Sequence, residues 1–180
     1  MSPLLILPMG HVEEEVLSTA EVCLWETFGF DVQRLSGQPR PDFAFDALRG
    51  QFNSELILRW LAEHSPAHTF RLMAVTEVDL FIPMLSFVYG QAQLRGTFAV
   101  VSVARMRQEF YGLPPNGDLM LQRLAKEAVH EVGHTFGLTH CLSKGCPMSL
   151  ATGAAQLDSK GDELCRNCLA VLRDHVKALV

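Results

Sequence analysis

Residues 130–148 read HEVGHTFGLTHCLSKGCPM, and this stretch restricts the fold more than any other part of the 180-residue chain. His130 and His134 stand four apart. In a helix, positions i and i+4 lie one above the other on the same face, so both imidazoles reach one ion only if this segment is helical. Gly137 can adopt the left-handed backbone that ends a helix. The chain can then turn back and bring His140 to the same point. Three neutral imidazoles leave a coordination position open, which is the arrangement of a catalytic zinc site. Glu131 follows the first histidine directly and can reach a water on that open side without being a ligand. As a general base it would take the proton while the water attacks a carbonyl. A lone histidine on a helix is more often a surface or satisfied core residue. The joint spacing of His130, Glu131, His134, Gly137 and His140 is what argues for chemistry here.

His140 sits directly against Cys141, and this adjacency calls for a second ion. Cys141 and Cys146 enclose the tight turn LSKG, and Cys165 and Cys168 form a C-x-x-C pair. Two cysteine pairs at this separation match a four-thiolate zinc site, and four thiolates leave no open position, so this site is structural. A redox pair at Cys165 and Cys168, or two disulfides, is the other use of such a pattern. Adjacent side chains in extended backbone point opposite ways, so His140 can face one ion and Cys141 the other. The expected load is therefore two zinc ions per chain, one catalytic and one structural. Met148, in CPMSL, reads as an apolar turn residue able to form a soft floor under a zinc site. The spacings of His11, His64, His68 and His175 suggest only surface or capping roles. Cys23 falls on an apolar helix face as a core thiol.

The remaining composition narrows the class. Hydrophobic residues make up 48% and charged residues 19% of the chain, which suits a packed domain and excludes a disordered one. The formal net charge of -5 is a poor basis for nucleic-acid binding. No apolar run reaches the length of a membrane span. The opening MSPLLILPMG is apolar but short and lacks a basic leader, so a signal peptide is not expected. A cytoplasmic location follows as an expectation, with reduced cysteines that favour metal over disulfides.

Residues 4–8 read as a buried strand, 12–28 as a helix stopped by Gly29, and 30–35 as a strand. The Pro- and Gly-bearing stretch 36–53 reads as loop. Residues 54–64 form a second helix capped by Asn53 or Ser54. Strands are expected over 69–81 and 96–106, joined by a connection with a short edge strand near Phe87–Tyr89. A long helix runs from Asp118 to Gly137, and 165–180 reads as a final amphipathic helix. The whole is an α/β (α+β) chain, a mixed sheet with packed helices. It forms one domain over 1–180, with the sheet and active-site helix in 1–137 and the methionine turn, cysteine site and last helix in 138–180.

The pattern H-E-x-x-H-x-x-G-x-x-H, followed by a methionine turn, resembles the metzincin clan of zinc peptidases. The continuation H-C-x4-C-x-M and then C-x-x-C is similar to the archaemetzincins in particular, over residues 130–168. DLFIP at 79–83 and FVYGQA at 87–92 look like further family segments. The loop from Met148 to Cys165 is about one residue shorter than the family pattern. The resemblance implies a metzincin-like twisted mixed sheet with a short zinc-stabilised C-terminal subdomain. It implies His130, His134 and His140 as catalytic zinc ligands, Glu131 as general base, Met148 as the methionine-turn residue, and Cys141, Cys146, Cys165 and Cys168 as ligands of a structural zinc. It also implies a metalloprotease, of endopeptidase or aminopeptidase type, that takes a peptide or protein substrate; separately, a monomer is expected.

Two other classes compete. A non-catalytic or very narrow zinc-containing peptide-binding module would have no chemical need for Glu131 beside the metal. A nucleic-acid-binding zinc protein would need a basic patch, but near the thiolates Lys144, Lys160 and Arg166 are balanced by Asp158, Asp162 and Glu163.

Overall fold

A computed structural model describes residues 2–179. The chain runs β1 (Leu4–Met9), α1 (Glu14–Phe28), β2 (Val32–Arg34), β3 (Phe45–Asp46), β4 (Gln51–Asn53), α2 (Ser54–His64), β5 (Arg71–Thr76), β6 (Leu80–Phe81), β7 (Gly90–Ala92), β8 (Phe98–Ser102), α3 (Gly117–Thr135), α4 (Ala154–Ser159) and α5 (Arg166–Leu179). The main sheet has the order β2-β1-β5-β8-β7. β2, β1, β5 and β8 are parallel, and β7 closes one edge antiparallel to β8.

Both faces of this sheet are covered, which is why its inner strands LLILPM, RLMAVT and FAVVS are nearly continuous apolar runs. Leu4, Ile6, Met73, Val75, Ala99 and Val101 face α1 and α3. Leu72, Ala74 and Val100, one residue out of phase, face α2. This alternation is the period of two that a pleated strand imposes. α3 contains VHEVGHT, a poor helix former by local preference. It is held by packing: Leu124, Ala128, Val129 and Val132 are all buried against the sheet and α1. Each such burial contributes about 1.5–3 kcal/mol for a large aliphatic side chain, which outweighs the roughly 1 kcal/mol cost of a helical glycine.

The structure redraws several boundaries. The expected strand at 69–81 is two strands, because the chain leaves the main sheet after Thr76 and β6 joins a second, three-stranded sheet of order β3-β4-β6. Its other two strands, β3 and β4, lie inside a stretch expected to be loop. The strands of this sheet are two or three residues long, too short to show a period. The strand expected over 96–106 ends at Ser102 and continues as a 3-10 turn over Ala104–Met106. The edge strand lies at Gly90–Ala92, not at Phe87–Tyr89, where only Val88 forms an isolated bridge to Leu80. α4 has no counterpart in the sequence reading. Of the expected final helix, Val180 lies outside the described residues. Among the described residues, no helix is long and apolar enough to cross a membrane.

Candidate active site and metal centres

α3 starts at an Asn116 cap, whose side chain accepts from the N–H of Leu119, and delivers its last turn under β7. It ends in a Schellman turn. The N–H of Leu138 donates to Gly133 (3.0 Å) and that of Gly137 to His134 (2.9 Å), with Gly137 at φ +87°. This left-handed residue reverses the chain and brings His140 back. The ligand atoms of His130, His134 and His140 lie within 4.8 Å of one another, and the Nε2 atoms of His130 and His134 are 3.0 Å apart.

Two of the three rings are oriented by backbone carbonyls. Nδ1 of His130 donates to Pro147 (2.8 Å) and Nδ1 of His134 to Leu138 (2.7 Å). A carbonyl only accepts, so the proton sits on Nδ1 and the Nε2 lone pair is free. Such outer hydrogen bonds fix the tautomer of metal-binding histidines. Burial holds the imidazoles neutral: it drives His130 down to about 2 and lowers His134 and His140 as well. The donor set suits zinc, with three neutral nitrogens on one side and an open cleft on the other.

Glu131 is buried and points into that cleft. Burial raises its carboxyl well above the ordinary range; Glu127 adds to the effect and Lys160 opposes it. Its seat is made by Gly90 of β7, where a Cβ would lie 2.7 Å from Cγ and 2.8 Å from Oε1 of Glu131. The next strand residue, Gln91, faces the opposite way and accepts from Ser54 of α2 (2.6 Å). The cleft holds about 310 Å³, and its apolar lining includes Ile82, Leu85, Val88, Leu150 and Ala151. β7 is the terminal strand of its sheet and runs along this cleft.

Met148 is fully buried against Gly133 of α3. A Cβ on Gly133 would lie 2.6 Å from its Sδ, so the helical glycine between His130 and His134 is what admits the methionine.

The sulfurs of Cys141, Cys146, Cys165 and Cys168 form a second cluster within 4.8 Å, and none is disulfide-bonded. Cys141 and Cys165 Sγ are 3.8 Å apart, close to the about 3.8 Å edge of a tetrahedron with 2.3 Å zinc–sulfur bonds. Backbone N–H groups of Ser143 and Cys165 point at the sulfurs of Cys141 (3.4 Å) and Cys146 (3.5 Å). The N–H of Cys168, on α5, draws the Cys165 thiol down to about 7. This donor set fits a closed zinc site better than a redox pair.

Two residues in the site escape the sequence reading. Lys160 reads there as one of several balanced charges near the thiolates, yet it is buried and bonds Glu127 Oε1 (2.8 Å). Its neighbours in sequence conceal this, because the partner comes from α3, 33 residues away. Glu127 gives a signal: it lies one turn before Glu131 on the buried face of a helix, where an acid needs a partner. Of the other histidines, His175 caps the end of α3 by donating to Phe136 (2.6 Å), and His64 bonds Trp60 in its own helix. Cys23 is half-buried, with Sγ on the Ala20 carbonyl.

The sequence matches peptidase family M54 over residues 45–174. It is 43% identical over 169 residues to the archaemetzincin of Methanocaldococcus jannaschii, covering 94% of this chain and 92% of that protein. The crystal structure of archaemetzincin from Methanopyrus kandleri superposes with a TM-score of 0.85 at 32% identity, over 98% of this chain and 96% of that one. A zinc-dependent peptidase from Methanocorpusculum labreanum superposes with a TM-score of 0.81 at 26% identity, over 94% and 99% of the two chains.

Proposed function

The chain belongs to peptidase family M54, a family of zinc-dependent peptidases, and on that premise we propose that it hydrolyses peptide bonds with Glu131 as general base. The observation that carries this reading is a buried carboxylate facing the cleft directly beside three convergent imidazoles. His130, His134 and His140 would hold a zinc ion that polarises a water and the substrate carbonyl. Glu131 accepts the proton of the attacking water and passes it to the departing amine. Its raised affinity for a proton, caused by burial, suits both halves of that task. Gly90 keeps the carboxylate in place, and Met148 packs beneath the histidine-bearing turn. Cys141, Cys146, Cys165 and Cys168 would hold a second, structural zinc. The substrate backbone lies along the outer edge of β7, in the cleft that Ile82, Leu85, Val88, Leu150 and Ala151 line. Four reduced thiols suit a reducing compartment, and we assign the protein to the cytoplasm, acting as a monomer.

The test is a peptide-library digestion with zinc restored, read by mass spectrometry beside Glu131→Gln. Cleavage by the native protein that falls by about 10²–10⁴-fold in the variant, with both zinc ions retained, is expected. Equal turnover in the two proteins overturns the role of Glu131. Absence of cleavage across a broad library leaves a peptide-binding module instead. Including N-acetylated peptides separates the modes: an aminopeptidase rejects them and an endopeptidase does not.

A further inference from the structure

Pro147 presents one carbonyl oxygen to two donors. Nδ1 of His130 approaches it at 2.8 Å and Nζ of Lys160 at 3.0 Å. The same ammonium bonds Oε1 of Glu127 at 2.8 Å, and the side chains of Lys160 and Glu127 are 1% and 6% exposed. Lys160 is itself anchored to the cysteine subdomain. It follows α4, and the next residue, Gly161, donates its N–H to the Gly145 carbonyl (2.8 Å) in the loop that carries Cys146. Pro147 in turn is bonded to Cys146. The three groups therefore form a line from the cysteine loop to the buried metal-facing histidine.

A buried ion pair is not explained by stability alone. Desolvating two charges offsets most of their attraction, and apolar residues of similar size often serve as well or better. This pair makes a further contact besides its own attraction, the bond from Nζ of Lys160 to the Pro147 carbonyl. A carbonyl has two lone pairs, so it can accept from both nitrogens at once, and the second donor fixes its direction. Glu127 holds the ammonium from the other side and cancels its charge next to the site.

We propose that Lys160 and Glu127 are a positioning pair: together they aim the Pro147 carbonyl at Nδ1 of His130 and so set the angle at which this histidine meets the catalytic ion. The inference rests on the reading that the three histidines bind zinc. It gives the cysteine subdomain a route to His130 that is separate from the peptide bond joining His140 to Cys141.

The experiment measures zinc affinity at the histidine site by chelator competition, with the cysteine site followed through thiol reactivity and the fold through thermal melting. Four proteins are compared: native, Lys160→Met, Lys160→Arg, and the combined Glu127→Leu with Lys160→Met. Lys160→Met is expected to lower histidine-site affinity by about 10–100-fold while the cysteine site stays loaded. Lys160→Arg, which keeps a donor and the charge, is expected to recover part of that loss. The combined variant is the decisive arm. It removes the unpaired buried carboxylate, so melting returns towards native, but the Pro147 carbonyl still lacks its second donor, so affinity stays low. Recovery of affinity together with melting overturns the proposal and leaves a structural ion pair. Native-like affinity in Lys160→Met overturns it directly. If the native protein takes no zinc at the histidines, the metal reading falls first, and the native measurement alone reveals it.

Discussion

Gly90 and Glu131 compete for the same space: a Cβ on residue 90 would stand 2.8 Å from Oε1 of Glu131, and 2.6 Å from the Val100 carbonyl oxygen behind it. The strand cannot retreat from the carboxylate, because its hydrogen-bonded neighbour blocks the way. Gly90→Ala is therefore expected to push Glu131 off its position. A shift of this size is worth roughly 10²-fold in kcat/KM, with a stability cost of about 1–3 kcal/mol from overpacking. Steady-state kinetics beside metal analysis checks it. Full activity in the Gly90→Ala variant would mean that Glu131 adapts freely.

Gly133 and Met148 stand in a similar relation on the other side of the histidines. Gly133→Ala should destabilise by about 1–3 kcal/mol, because its methyl meets the buried Sδ. Met148→Ala should cost about 2–5 kcal/mol through the cavity it leaves. The double variant is expected to lose less than the sum, since the added methyl occupies part of that cavity. Denaturant melts of the four proteins test the coupling, and strict additivity would show that the two residues do not share space.

Two zinc ions per chain are expected from metal analysis of the folded protein. The histidine-bound ion should leave first on chelation, because its cleft is open, whereas the four thiolates enclose theirs. Cys165→Ser should weaken zinc at the histidines by about 10–100-fold, although Cys165 belongs to the other cluster. The Cys141 N–H bonds the Met148 carbonyl at 2.9 Å, so the turn that presents His140 is tied to the methionine turn. Circular dichroism on the same samples separates this from unfolding of the tail, since structural zinc is itself folding energy. Unchanged histidine-site affinity in a folded variant lacking the cysteine-bound ion would show the turn to be self-supporting.

A peptide-mimic inhibitor should bind as an added strand beside Gly90–Ala92. N-methylation of an inhibitor amide that faces β7 should then weaken binding, about 1 kcal/mol or more for each backbone hydrogen bond removed. Methylation at the alternate amides, which face solvent, should have little effect. A pattern without this alternation would place the peptide elsewhere in the cleft.

Much of the site was legible because its constraints are local. His130 and His134 require one helix face, Gly137 a left-handed turn, and Cys141 a direction opposite to its neighbour His140. All these are distances along the chain of a few residues, so spacing alone carries them. The inner strands were legible for a related reason: two-sided burial leaves an unbroken apolar run. Boundaries fared worse where the element is short. β3, β4 and β6 are two or three residues long, and β7 begins three residues after the strand expected near Phe87. Such pieces are strands only because a neighbour pairs with them.

By itself, the sequence determined which histidines and which carboxylate meet at one cleft, the helix that carries His130, Glu131 and His134, and the reversal that returns His140. Only the tertiary structure decided that Gly90 makes room for Glu131, that Gly133 makes room for Met148, and that Lys160 turns inward to Glu127 and Pro147 instead of outward to Asp158 and Asp162. The physical reason is the same in each case. Close packing and the pairing of buried charge are satisfied between segments distant in the chain, and spacing along a single segment carries no information about which distant partner arrives.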